Sequence, residues 1–447
     1  MVLNSESVFA SARPHEDSRA ICNSNESGDG MVDELRSLDF IPEPDDPRIL
    51  SAADPNLSGH QEGFRAAVTG WEPDIPPQSP LSNRRFIVGR IPYALLIILL
   101  LATTSWWGLD QWLGVAEVQY PDSEWAYEES RIRDLQSVHG LDGTGVNVCI
   151  VDTGIDLDHE DLVAVNVVFK DFVSDSQEAI DHGVDHHGSM MAGILVADGH
   201  LKGASPGVSL SVAAALGERT GTETVGDTTL VAEAIEWCWN ERDADIISLS
   251  LGGMQDLNTT AKSEVEQAVE DAMRHGVYVV AAAGNDGGAD DDGIVSSPAN
   301  VPLVIAVGAT QEGGELWAAS SRDDSTVDGN GDERMDPNLK PEILAPGAGI
   351  ISTAPGTTYY RSSGTSGATV FIAGTLALIL EEYPEMSRSG GSQSSNCIVA
   401  MKQALMDSTD PSIGDVEHDG ALGYGNLDAV AWFEAVGIQQ ANAPCGE

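Results

Sequence analysis

From about residue 125 onward the chain alternates short apolar runs with amphipathic stretches. "VNVCIVDTGID" (146–156) is an apolar strand running into a turn. "TTLVAEAIEWCWNERDADIISLSLGG" (228–253) has helical spacing of its apolar residues, then a buried strand, and "TAKSEVEQAVEDAMRHGVYVVAAAGN" (260–285) repeats that order. "PLVIAVGAT" (302–310) is a further buried strand. Strands alternating with helices predict right-handed βαβ units and a mostly parallel sheet covered by helices, an α/β fold. Two segments break the rhythm. "DHHGSMMAGILVA" (185–197) and "GTSGATVFIAGTLALIL" (364–380) are apolar on every side and read as buried helices, the second with Gly374 inside it.

The first 83 residues are different. They hold 9 of the 21 prolines and no sustained apolar period, which predicts an acidic, disordered, Pro-rich region. Residues 84–115 follow as a basic flank and anchor. Ile91 to Leu109 is a charge-free run of 19 residues, and at ~1.5 Å per residue it nearly spans a ~30 Å hydrocarbon core. Arg84, Arg85 and Arg90 precede it, whereas Asp110, Glu117 and Asp122 follow. The positive-inside rule then predicts one transmembrane helix, with the N-terminus cytoplasmic and everything after residue 110 outside. The competing expectation is export and secretion, with Arg84-Arg85 as a weak twin-arginine signal. Residues 116–438 form the predicted folded domain and 439–447 a short tail.

Charge narrows the function classes. There are 71 acidic and 22 basic residues, net −49, and only five of the basic ones are Lys. A folded chain this acidic repels itself in dilute buffer, so concentrated salt is the expected medium. No basic stripe exists to meet phosphates, which excludes nucleic-acid binding. The five cysteines include no CxxC. Cys149 and Cys238 read as core, Cys397 and Cys445 as a possible bridge, and no zinc site follows.

In parallel sheets, sites gather at the carboxyl ends of strands. The first strand ends in Asp152, later ones in Ser250-Leu251-Gly252 and Gly284-Asn285. Gly143-Thr144-Gly145 precedes its strand, so it cannot cradle a dinucleotide phosphate. His187 and Ser366 each open a buried helix, where the positive end of the dipole lies. Together these residues supply a carboxylate, an imidazole, a hydroxyl and an amide donor. Acyl transfer needs that set: a base to take the hydroxyl proton, an acid to orient the base, and a donor for the oxyanion.

At this point the chain resembles the subtilisin-like serine proteases, the subtilases. "VDTGID" with "HEDL" (159–162) is similar to the family's aspartate motif, "HGSMMAG" (187–193) to its histidine motif, and "SLSLGG" (248–253) to its substrate strand. "AAAGN" (281–285) matches its oxyanion segment and "GTSGA" (364–368) its serine motif, in family order from about residue 125 to 436. The resemblance implies a three-layer subtilisin-like fold and a serine endopeptidase with Asp152, His187 and Ser366 as triad and Asn285 in the oxyanion hole. It implies protein or peptide substrates, a monomer, and no cofactor for the chemistry. Ser250, Leu251 and Gly252 would pair with the substrate backbone, and Ala283, Gly284 and Ser296 would help form the S1 pocket. Asp286 and Asp290 to Asp292 nearby suggest basic P1 side chains. The alternative is a catalytically weak relative that binds peptides in the same groove. The chain departs from the family pattern at Met190, Gly367, Val370 and Phe371. Only a few tens of residues separate the anchor from the first motif, too few for an independently folded inhibitory prodomain, so none is expected. "DGNGDERMD" places oxygens at Asp328, Asn330, Asp332 and Asp336, a spacing that suits a structural Ca²⁺.

Overall fold

The computed structural model describes residues 122–219, 223–253, 262–289, 291–328, 332–391, 395–409 and 418–445. The predicted anchor at 91–109, the Pro-rich region, Cys22, Asp290 and Asn330 lie outside the described residues.

Seven strands form one parallel sheet: β1 (Asn147–Asp152), β2 (Val167–Asp171), β3 (Ser209–Ala214), β6 (Ile246–Leu249), β7 (Tyr278–Ala282), β8 (Ile305–Thr310) and β9 (Ile343–Pro346). Their order is β2-β3-β1-β6-β7-β8-β9, and every neighbouring pair is parallel. Two antiparallel hairpins stand apart: β4 (Leu216–Arg219) with β5 (Glu223–Gly226), and β10 (Ala348–Ala354) with β11 (Thr358–Ser363). From β1 the chain crosses to the edge strand β2, comes back to β3 between the two, then crosses to the other side to build β6 to β9. The reversal falls between β1 and β6, and ligands in such sheets bind at that switch point, outside the carboxyl ends of the strands.

After a first short helix, α1 (Glu124–Glu129), two helices cover one face. They are α3 (Thr228–Asn240), which contacts β1, β3 and β6, and α4 (Glu264–Arg274), which contacts β7 and α3. Both are started by their own side chains. Asp227 accepts from Thr229 N, and Ser263 with Glu266 forms a reciprocal capping box. The other face is covered by α2 (His187–Val196) and α5 (Thr365–Glu382), which pack on each other; α5 runs beneath β6 to β9. All residues from Thr365 to Leu380 are buried. Among the described residues α5 is the one helix long and apolar enough to cross a membrane, yet 89% of it is buried inside the protein. It is the core helix. The fold is therefore helix–sheet–helix, as the alternating pattern implies.

Two more helices, α6 (Asn396–Ser408) and α7 (Ala429–Asn442), close the C-terminal side. Helix α7 runs past residue 438, and Cys445 is bridged to Cys397, so residues 439–445 of the segment expected to be a tail belong to the folded unit. A second disulfide joins Cys149 on β1 to Cys238 on α3. The apolar surroundings that made both read as core thiols are real, since each is fully buried; they also hold the two sulfurs face to face.

Candidate active site

Asp152 is the last residue of β1, fully buried. His187 is the first residue of α2, and its Nδ1 lies 2.8 and 3.0 Å from the two Asp152 carboxylate oxygens. A carboxylate at the end of a buried strand needs such a partner. The ring's charge state is set by opposing effects. Burial pulls the imidazolium pKa down, but the charge and hydrogen bond of Asp152, with the charges of Asp185 and Asp181, push it up to about 9. Burial in turn pushes Asp185 up to about 6, opposed by the His187 charge and helped by Asp181 and Asp152.

Ser366 sits in the first turn of α5, and its Oγ lies 3.4 Å from Ser250 O; Ser250 Oγ donates to Ser366 O at 3.1 Å. The strand that ends the β6 segment is thus pinned to the helix start. Asn285 follows β7, and its Oδ1 accepts from Thr365 N at 2.9 Å, with Thr365 Oγ1 at 3.0 Å. A backbone N–H can only donate, so the amide oxygen must face Thr365. The Nδ2 group is left as the donor of the Asn285 amide.

The segments expected to bind substrate also meet. Ser296 N donates to Ala283 O at 2.7 Å, and Gly253 and Ser297 exchange backbone hydrogen bonds at 2.9 and 3.1 Å. Ser296 stands between two glycines. A Cβ on Gly252 would lie 2.7 Å from Ser296 Cβ, and one on Gly284 would lie 2.6 Å from Ser296 Oγ. Leu251, next to Gly252, is buried.

Two of the acids suggested as attractors of a basic side chain, Asp286 and Asp291, are already engaged. Asp291 accepts from Arg322 Nε at 2.9 Å and Gly293 N at 2.7 Å. Asp286 is bonded to the Ser321 hydroxyl, and its pKa is raised, chiefly by burial. The loop expected to hold calcium is described only in part, since residues 329–331 lie outside the described residues. Among the described residues no three acidic, His or Cys side chains converge as metal ligands. Asp328 Oδ1 accepts from Asp332 N at 3.0 Å, which closes a hairpin, and Asp336 Oδ1 accepts from Tyr424 OH at 2.7 Å. Asp336 is thus turned toward Tyr424.

Sequence reasoning missed three contributors. Thr365, which orients Asn285, is adjacent to Ser366 and could have been found there. Asp181 and Asp185, which face His187, lie in an aperiodic loop that carries no such signal.

A parallel sheet with a buried Asp–His couple and a helix-start serine at its switch point defines a serine hydrolase of α/β architecture. The chain belongs to the subtilase family, whose family model matches residues 143–425, and it is a subtilisin-like serine endopeptidase. It is 33% identical over 259 residues to subtilisin DY of Bacillus licheniformis, an alignment covering 57% of this chain and 84% of that one. It is 34% identical over 254 residues to the major intracellular serine protease of Bacillus subtilis (strain 168), covering 56% and 72%. Among solved structures, the prenylagaramide maturation protease PagA superposes with a TM-score of 0.53 at 23% identity, over 68% of this chain and 98% of that one; this speaks for the fold alone.

Proposed function

We propose that this endopeptidase cleaves peptide bonds through an acyl-enzyme, with Ser366 as nucleophile, His187 as general base and acid, and Asp152 as the group that fixes the His187 tautomer. The observation that carries the reading is the buried Asp152–His187 couple, with Nδ1 held 2.8 and 3.0 Å from the carboxylate. With the Nδ1–H donating to the Asp152 carboxylate, Nε2 is the basic nitrogen. Asn285 Nδ2 and the Ser366 N–H are the donors for the oxyanion, and one such donor is worth about 3 kcal/mol in the transition state. No metal or cofactor takes part.

The substrate backbone pairs with Ser250 to Gly252, and P1 enters between that segment and Ala283 to Asn285, with Ser296 at the floor. The engaged state of Asp286 and Asp291 favours an uncharged P1 side chain over Arg, and the Ser296 hydroxyl between two glycines favours a modest size. The catalytic domain works outside a membrane that holds the segment at 91–109, in concentrated salt. Arginines on one side of that segment support the orientation, and two disulfides suit an oxidising compartment.

Labelling with a fluorophosphonate in molar salt tests the mechanism. The protein takes the label, and Ser366→Ala does not. Absence of labelling in the unaltered protein leaves the peptide-binding alternative standing instead.

A further inference from the structure

Helix α2 begins with His187, yet its capping position is unusual. His186 has φ 55° and caps nothing with its side chain. The first-turn N–H groups of a helix need acceptors, and here they come from elsewhere. Gly188 N donates to Thr153 Oγ1 at 2.8 Å, and Ser189 N donates to Asp181 Oδ2 at 2.8 Å. The Ser189 hydroxyl donates to that same oxygen at 2.6 Å. The other Asp181 oxygen accepts from Thr153 Oγ1 at 2.6 Å and from Gly183 N at 2.9 Å. Thr153 directly follows Asp152, and Ser189 lies two residues after His187. One carboxylate, with 9% of its residue exposed, therefore holds the end of β1 and the start of α2.

We propose that Asp181 is a positioning residue of the peptidase: by bonding Thr153 with one oxygen and Ser189 with the other, it sets how Asp152 meets His187. The inference rests on the reading of Asp152 and His187 as the catalytic couple. The backbone leaves no slack for another arrangement. Gly154 and Asp181 form an isolated bridge, His182 N donates to Thr153 O at 2.8 Å, and a Cβ on Gly188 would lie 2.1 Å from Gly154 O. Four donors converge on the two oxygens, so only a carboxylate satisfies them. An amide would put its NH₂ against either Ser189 or Thr153. The charged groups facing His187 are Asp152 on β1 and Asp185 and Asp181 on the loop, so Asp181 also adds negative charge beside the imidazolium.

The test compares Asp181→Asn and Ser189→Ala in the full chain, with Ser366→Ala and His187→Ala as references. Asp181→Asn is expected to lose on the order of 30-fold in kcat with KM little changed, because displacement of the base is felt only in the transition state. Its acid limb in kcat/KM moves to lower pH, since removal of a negative charge favours the neutral imidazole. Ser189→Ala keeps the carboxylate, so its limb stays in place while kcat falls by about fivefold. A merely structural role would lower the melting temperature and leave the kcat and pH profile of the folded enzyme alone; that outcome in Asp181→Asn overturns the proposal. If Asp181→Asn does not fold, an unchanged kcat in Ser189→Ala overturns it. Activity surviving in Ser366→Ala or His187→Ala removes the catalytic couple itself, and this inference with it.

Discussion

Two glycines in α5 have opposite tolerances. A Cβ on Gly374 would lie 2.5 Å from Ala204 Cβ, and Ser205 Oγ donates to Gly374 O at 2.7 Å. The glycine inside the apolar run is there so that the 204–205 segment can approach the helix backbone. A Cβ on Gly367 would meet Ile194, Gly347 and Ile350 only at 3.6–3.8 Å, ordinary contact distances. Gly367→Ala is therefore expected to stabilise by up to about 1 kcal/mol, and Gly374→Ala to destabilise by about 1–3 kcal/mol through overpacking. Chemical denaturation of the two variants checks this, and a matching sign in both would contradict it. At the same scale, His187 predicts the pH profile. Its folded-state pKa is pushed up to about 9, above the ordinary 6.5, and attack by Ser366 needs the neutral ring. The acid limb of kcat/KM thus lies in the alkaline range. The same shift stabilises the fold fully below about pH 6.5, and that contribution is lost as pH rises through about 9. A limb near 6.5 would mean that the surrounding carboxylates do not hold the charge.

The elements show which parts of this arrangement a linear reading can reach. Asp152, His187, Asn285 and Ser366 were legible because each ends a strand or opens a helix, where periodicity changes. Asp181 was not, because its importance depends on two tertiary partners, Thr153 and Ser189, contributed by different elements. The Cys149–Cys238 bridge was missed for a similar reason: apolar context marks both as buried but does not say which helix face meets β1. Acid spacing at 328–336 suggested a metal loop, and Tyr424, remote in sequence, takes one of the acids. A buried charge cluster at the edge of the sheet was equally invisible. Glu342 Oε1 receives Lys340 Nζ at 2.9 Å and Lys402 Nζ at 2.5 Å, and both ammonium groups also reach Val304 O. Burial holds both lysines below their usual range, against the pull of Glu342, while the two lysines outweigh the desolvation that would raise Glu342. Removing the shared anion leaves two cations buried without their partner, so Glu342→Gln is expected to cost about 3–5 kcal/mol. Lys340→Met leaves a balanced Lys402–Glu342 pair and costs much less. Equal losses in urea unfolding would show that the cluster is not organised around Glu342.

On the scale of the whole molecule the dominant quantity is charge. With 71 acidic residues against 22 basic ones and a net −49 on 447 residues, most carboxylates have no basic residue of their own to pair with; several of the ion pairs found among the described residues, such as Lys202–Asp198 and Arg274–Asp271, are exposed and contribute little each. Self-repulsion of the compact state then weakens wherever the medium screens it. The screening length falls from about 10 Å at 0.1 M to about 3 Å at 1 M salt, shorter than the spacing of all but adjacent surface charges. The melting temperature is therefore expected to climb by many degrees from 0.1 to 1 M NaCl or KCl and to flatten above that. A rise caused by water exclusion rather than screening would keep going, and would be steeper for sulfate than for chloride at equal ionic strength. Repulsion also scales with the square of the charge. Lowering the pH toward the sequence pI of about 4.2 neutralises carboxylates, so the salt-induced gain should shrink at pH 5 relative to pH 8. Thermal unfolding across that grid of salt and pH decides the matter. A melting temperature indifferent to salt at pH 8 would mean that the folded protein already accommodates its charge, and adaptation to concentrated salt would have to be abandoned.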